Sequence, residues 1–299
     1  MTESYPANLM DLMNMFPTEE ACLEYLIRIR WPEGYRCLQC GSASYWKKAR
    51  GLFYCRDCTY EGSVSRGTLF HDTHKPLRLW FHAIWYVVNQ KNGVSAAGLQ
   101  RALGFGSYHT AWEWLHKLRR AMVRPDRDRL SGVVEMDETF IGGEHSGKRG
   151  RGAEGKTLVL IAVEETQKGM GRIRLTPIKD GSGKILKEAT LRMVEPGSTI
   201  RTDGWDAYNL LANGYHHAPL THAHSISGDA TPLTHHVAAL LKRWWLGTHQ
   251  GAISSEHLAY YLDEFTFRFN RRTSRSRGKL FYRLIQQALQ IDPVPAKNF

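Results

Sequence analysis

The sequence contains no run of about 18 apolar residues, so it predicts no membrane-spanning helix. Its first residues, MTESYPANLMDLMNMF, have neither a basic segment nor an apolar stretch behind one, so no secretory leader is expected. Cysteine is scarce, five in 299 residues. Four of these fall into two CxxC pairs and Cys22 stands alone, which argues against a disulfide framework and suits a reducing compartment. The phosphate-cradling pattern GxxxxGK followed by Ser or Thr is missing too, and the glycine-rich basic stretch 142–152 does not lead into a helix. Acids are fewer than bases, 29 Asp and Glu against 40 Lys and Arg, giving a net charge of +11 and a pI near 9.5. That excess predicts a positive surface with nucleic acid as its leading partner. A membrane surface fits less well, because the bases are dispersed through folded-looking segments instead of forming an amphipathic tail. Hydrophobic content of 42% is ample for a globular core.

Thr18 followed by Glu19 and Glu20 reads as a helix start. Leu23, Leu26 and Ile27 supply its apolar face, and Trp31-Pro32 stops it. Then come Cys37 with Cys40 and Cys55 with Cys58, the pairs separated by fourteen residues. Each CxxC turn aims two thiolates at one point, and two such turns close a tetrahedral Zn²⁺ site. Tyr45-Trp46 and Leu52-Phe53-Tyr54 read as two short strands between them. So small a segment has little core of its own, so the metal is expected to hold it together. Residues 1–70 therefore form an N-terminal helix and zinc ribbon; whether the ribbon meets DNA or another subunit is open at this point.

Residues 71–130 read as a helical module. Pro76–Gln90 carries a stripe of Leu79, Trp80, Ala83, Ile84 and Val87. After Asn92-Gly93, a short helix from Ser95 closes at Gly104, and Tyr108–Val123 forms a third. Helix, short helix, turn and helix is the helix-turn-helix pattern, whose last helix can enter the major groove. Trp112 and Trp114 are expected in its core. Lys117, Arg119 and Arg120 are the candidate DNA contacts, with a plain solvated face as the alternative.

The third region begins with Ser131–Glu144, where Val133, Val134, Phe140 and Ile141 give the bias of a buried strand. Into it the sequence places Asp137, flanked by Glu135 and Glu138. A carboxylate on a core strand costs several kcal/mol unless something pairs it, and a metal ion is a frequent answer. A strand end pointing to solvent is the bland alternative. A second such strand, Ser198–Trp205, ends in Asp203. Between them lie the basic loop 142–152, suited to gripping a phosphate backbone, strands over 157–164 and 172–178, and a helix over 184–194. Three strands, a helix and a fourth strand is the order of the RNase H-like fold, in which the first and fourth strands are adjacent and parallel. Asp137 and Asp203, 66 residues apart in sequence, then meet, as two-metal phosphoryl chemistry requires. Asp206 reads as a structural cap.

A site of this kind usually takes a third acid from a helix crossing the sheet. The helix after Thr231-Pro232, expected to close at Gly247, has His235 and His236 in its first turn and no acid. With FPTEEACLEYL, the CxxC pairs, MDETFIGG, TDGWDAY, LKRWWLGTHQG and YLDEFTFRFNRR, the chain resembles the ISXO-type insertion-sequence transposases along nearly its whole length. That resemblance implies a DDE-type RNase H-like catalytic domain over 131–299. It places His235 at the third catalytic position, seven residues before Lys242, which would contact substrate phosphate. Histidine in place of an acid favours Mn²⁺ over Mg²⁺. The resemblance also implies a Glu264–Arg268–Arg271 set on a helix over 255–272, with Glu264 completing the metal site or positioning the two arginines on DNA. The expected partners are double-stranded DNA, both terminal inverted repeats and target. A homo-oligomer on DNA and a cytoplasmic, nucleoid-associated location are also expected. The expected activity is end binding, metal-dependent strand cleavage and strand transfer. The rivals are a non-catalytic DNA-binding regulator derived from a transposase and a nuclease without strand transfer.

Overall fold

The structure is a computed structural model and describes residues 3–48, 51–124, 127–142, 156–220, 229–251 and 253–294. Two N-terminal helices open the chain, α1 (Leu9–Met15) and α2 (Glu19–Arg30). Thr18 accepts from the Ala21 N–H and caps α2 as its position predicts. Glu19 does something that its place in the first turn did not reveal. Its carboxylate accepts the N–H groups of Leu77 and Arg78 at 2.7 and 3.1 Å. These begin α3 (Leu77–Asn89), whose N-cap, Pro76, has no side-chain acceptor of its own. Between α2 and α3 lie three antiparallel strands, β1 (Tyr45–Lys47), β2 (Leu52–Cys55) and β3 (Glu61–Ser63), the last not foreseen. Then follow α4 (Ala96–Leu103), closed by Gly104 in the left-handed region, and α5 (Tyr108–Ala121). Trp80 and Trp114 stack 3.5 Å apart at 5°, which puts Trp114 in the core of the helical module as expected. Burying an aromatic of this size stabilises by a few kcal/mol.

The chain divides into two compact units, Met1–Pro125 with Ser274–Phe299, and Asp126–Thr273. The second is built on β4 (Val133–Ile141), β5 (Thr157–Thr166), β6 (Gly169–Ile178), β7 (Thr199–Thr202) and β8 (His216–Pro219), with α6 (Gly183–Met193) between β6 and β7. The sheet order is β6-β5-β4-β7-β8. β4 pairs antiparallel with β5 and parallel with β7. This is the RNase H-like arrangement, with a fifth strand that the sequence had not announced. Alternation sends Val134 and Met136 to the face covered by α6 and the 3-10 turn Asp206–Ala212, where Asp206 lies in the first turn. It sends Glu135, Asp137 and Ile141 to the other face, which α7 (Pro232–His249) and α8 (Leu258–Asn270) cover. Gly247 does not end α7. Trp244 and Trp245 are buried against that face and hold the helix until Gln250 closes it at φ 52°. Among the described residues, no helix is long and apolar enough to cross a membrane.

The last helix, α9 (Arg277–Ala288), belongs to the first unit. Phe281 is fully buried among Phe16, Tyr25, Phe81 and Trp85, and Leu69 N–H donates to the Ala288 carbonyl at 2.9 Å. The close approach of α9 to the chain start falls at Gly278, where a Cβ would run into the Pro6 carbonyl.

Candidate active site

β4 and β7 run parallel with Glu135 opposite Arg201, so two residues further along they bring Asp137 and Asp203 abreast. Asp203 is exposed and its carboxylate caps its own turn through the Trp205 N–H at 3.0 Å. Asp137 is more enclosed. Its Oδ1 accepts the Glu138 N–H at 2.7 Å, and its Oδ2 accepts the Thr231 hydroxyl at 2.9 Å. His235 Nε2 lies 3.1 Å from the same Oδ2. Burial raises the Asp137 pKa above the usual carboxylate value, and the nearby Asp203 charge adds to the rise against the opposing pull of these partners.

His235 projects from the first turn of α7, and its other ring nitrogen, Nδ1, lies 2.9 Å from Asp229 Oδ2. Asp229 Oδ1 also accepts the Thr231 N–H at 3.0 Å, so one carboxylate ties the start of α7 to the imidazole. Burial pulls the His235 pKa down, but the Asp229 hydrogen bond and the charges of Asp137 and Asp229 together outweigh it and hold the value above normal. Glu135, nearly fully buried, accepts the Thr234 N–H at 2.7 Å and thereby caps α7 from the strand below. Burial raises its pKa as well. Glu138 receives the Tyr208 hydroxyl at 2.6 Å. Asp137, Glu138, Thr139, Thr234, His235 and Lys242 line a cleft of about 360 Å³. His235 and Lys242 are seven residues apart on α7 and so share its cleft-facing side. Asp203 does not line this cleft, although its charge reaches Asp137.

Asp137 with His235 beside it offers a carboxylate and an imidazole to a divalent cation, and a desolvated carboxylate near the Asp203 charge is short of positive charge; among the described residues, however, the close-set metal-ligating group is the ribbon's four cysteines and does not include this site. In the ribbon, the sulfur atoms of Cys37, Cys40, Cys55 and Cys58 all lie within 4.8 Å of one another. A tetrahedron of ~2.3 Å Zn–S bonds has edges of about 3.8 Å, and the Cys37–Cys58 and Cys40–Cys55 pairs stand at 3.5 and 3.6 Å. The two knuckles match: Gly41 N–H returns to the Cys37 carbonyl and Thr59 N–H to that of Cys55.

Other expected site residues lie elsewhere. Glu264 is 1% exposed, and its carboxylate takes two contacts from Arg268, at 2.8 and 2.7 Å. It does not line the Asp137 cleft, and its internal ion pair is closer to the expected positioning of Arg268 than to metal binding. Arg268, engaged in the same pair, has only 13% of its side chain exposed and makes a poor phosphate contact. The Arg271 guanidinium lies over the Phe267 ring at 4.1 Å. Arg119 is 1% exposed, because it falls on the inward side of α5 beside Leu115 and Leu118, and a buried guanidinium reaches no phosphate. Lys117 and Arg120 are half-buried, with Arg120 donating to the Asp292 carbonyl at 3.3 Å. The basic loop 142–152 lies, apart from Gly142, outside the described residues.

Two family models match this chain: an ISXO2-like transposase domain over residues 129–270 and a transposase zinc-ribbon domain over residues 17–61. The chain thus carries a transposase zinc ribbon followed by an ISXO2-like transposase domain. Among curated proteins, this chain is 26% identical over 287 residues to an uncharacterized protein in transposable element ISH50 of Halobacterium salinarum. That match covers 88% of this chain and 94% of the relative. A crystal structure of a pre-cleavage Mos1 transpososome aligns over 70% of this chain and 75% of that one, at 12% identity and a TM-score of 0.28, too loose a likeness to bear on the fold. The four ribbon cysteines suit structural Zn²⁺, and the domain family implies a divalent ion in the sheet unit.

Proposed function

We propose that this chain is an active DNA transposase: it binds insertion-sequence ends, cuts the strand there and joins the freed 3′-hydroxyl to target DNA. The observation that carries the reading is the cluster at the ends of parallel β4 and β7, where Asp137, His235 and Lys242 line one cleft and the charge of Asp203 reaches Asp137 from outside it. Asp137, Asp203 and His235 are the residues that would hold divalent ions. Such ions supply Lewis-acid stabilisation of the entering and leaving oxygens of an in-line displacement at phosphorus.

The chain's own groups prepare that site. The Thr231 hydroxyl and the Glu138 N–H fix both oxygens of Asp137. With Nδ1 held by Asp229, His235 would present Nε2 to a cation shared with Asp137, the arrangement in which a carboxylate orients a metal-binding imidazole. Lys242, exposed at the cleft, offers its ammonium to a substrate phosphate. Water and then a 3′-hydroxyl are the nucleophiles. Within this proposal the ribbon and the helices α3–α5 bind the element's inverted repeats. The protein works as a homo-oligomer on paired ends, in the cytoplasm at the nucleoid.

The test is cleavage of a labelled fragment carrying the element's end, in Mg²⁺ and in Mn²⁺. Asp137→Ala should abolish cleavage and His235→Ala should lower it sharply, while both still bind the end. Full cleavage by Asp137→Ala would sink the proposal and favour a DNA-binding regulator.

A further inference from the structure

The ribbon has two faces of different character. Alternation turns Tyr45, Phe53 and Cys55 inward against Tyr35 and Trp31. On the other face Trp46 of β1 stands directly opposite Tyr54 of β2. Trp46 is 54% exposed, so it contributes little to the ribbon's core. Its ring and that of Tyr54 are nearly parallel, 13° apart with centroids at 5.7 Å. Each of the two rings also carries a cation: the Arg56 guanidinium 4.9 Å over Trp46, and the Lys48 ammonium 4.7 Å over Tyr54. Lys48 also pairs with Glu61 of β3. Arg56 is exposed and has no such anion among its described contacts.

We propose that this face binds unpaired nucleotides of DNA: a base stacks on Trp46 in place of Arg56, and the displaced guanidinium moves to the adjoining phosphate. Every base has a flat face that stacks on an aromatic ring, and stacking is stronger than an exposed cation–π contact, so the exchange favours the base. The guanidinium then gains a phosphate partner in a bidentate geometry. Duplex DNA keeps its base faces within the stack and offers this ring pair only phosphates. The preferred ligand is therefore a frayed or tailed end. A cation over each ring, on a chain of net charge +11, matches a nucleic acid better than an apolar protein surface. The choice of nucleic acid rests on the proposed transposase function, but the test needs no cleavage.

The experiment measures affinity of the zinc-loaded full chain, at one fixed salt concentration, for a labelled blunt duplex and for the same duplex with a short unpaired tail. Wild type should bind the tailed form about tenfold more tightly, the worth of roughly one stacked base. Trp46→Ala should remove that gain and leave blunt-duplex affinity within about twofold, whereas Trp46→Phe should keep most of it. Zinc content and thermal unfolding of each variant establish that the ribbon is intact. No gain from the tail, an equal loss on both DNAs with Trp46→Ala, or a tail gain that survives Trp46→Ala would each overturn the proposal. Loss of cleavage by Asp137→Ala with the tail gain intact would leave both proposals standing. Normal cleavage by that variant would remove only the catalytic one.

Discussion

Glu264→Ala separates a structural from a catalytic reading of the last helix of the sheet unit. The carboxylate is 1% exposed, its partner Arg268 is 13% exposed in its side chain, and their atoms approach to 2.7 Å. Removing one member of so enclosed a pair leaves a desolvated guanidinium without the charge that balanced it, at a cost of about 3–5 kcal/mol. The midpoint of the sheet unit's thermal unfolding should fall by roughly 2–4 °C for each kcal/mol, so by about 6–20 °C in all. Replacing both residues with methionine, which is similar in length, should recover most of that loss, because the buried charge goes with its partner. Cleavage measured well below the lowered midpoint should persist in both variants. The reasoning is refuted if Glu264→Ala melts with wild type yet fails to cleave, for the carboxylate would then be acting at the metal.

Other substitutions probe other parts. Removing zinc with a chelator, or Cys55→Ser, should unfold the ribbon, since among the described residues its fully buried group beside Cys37 and Cys55 comprises only Tyr35 and Phe53; loss of the Trp46 and Tyr54 near-ultraviolet signal would report it. Arg119→Ala should destabilise the helical unit by about 1–3 kcal/mol in urea unfolding, whereas Lys117→Ala should leave stability within about 0.5 kcal/mol and weaken DNA binding alone. His235 has a folded-state pKa above its usual ~6.5, so its contribution to stability is full below about pH 6.5 and is lost as pH rises through the folded value. Asp229→Asn should shrink that pH dependence, which urea unfolding at about pH 5.5 and about pH 8.5 measures.

The two aspartates were legible because each is an acid placed on or just after an apolar strand, a pattern that burial alone does not explain. Their meeting was legible too, since the order of strands and helix implied that β4 and β7 run side by side. Asp229 was not legible. It sits outside any periodic element, and its bond to His235 exists only once α7 docks on the sheet. Glu135 was visible as a neighbour of Asp137, but its capping of α7 joins positions 99 residues apart. Glu264 and Arg119 show a different limit. Spacing tells which residues share a helix face but not whether that face is wet, and the same four-residue step fits a surface pair or a buried one. For α9 the apolar stripe Leu280, Phe281, Leu284, Ile285 and Ala288 was present in the sequence, overshadowed by the arginines before it. Gly247 misled because a glycine inside a helix weakens it only modestly, less than Trp244 and Trp245 gain by packing.

In the proposed function Asp137 and Asp203 act together in phosphoryl transfer. The most direct measurement supplies a pre-cut element end with a free 3′-hydroxyl and follows its joining to target DNA. Wild type is compared with Asp137→Asn and Asp203→Asn in Mn²⁺. The predicted result is joining by wild type and a loss of at least about a hundredfold in each variant, with end binding unchanged. Joining at the wild-type rate by either variant would show that the altered aspartate takes no part in the transfer.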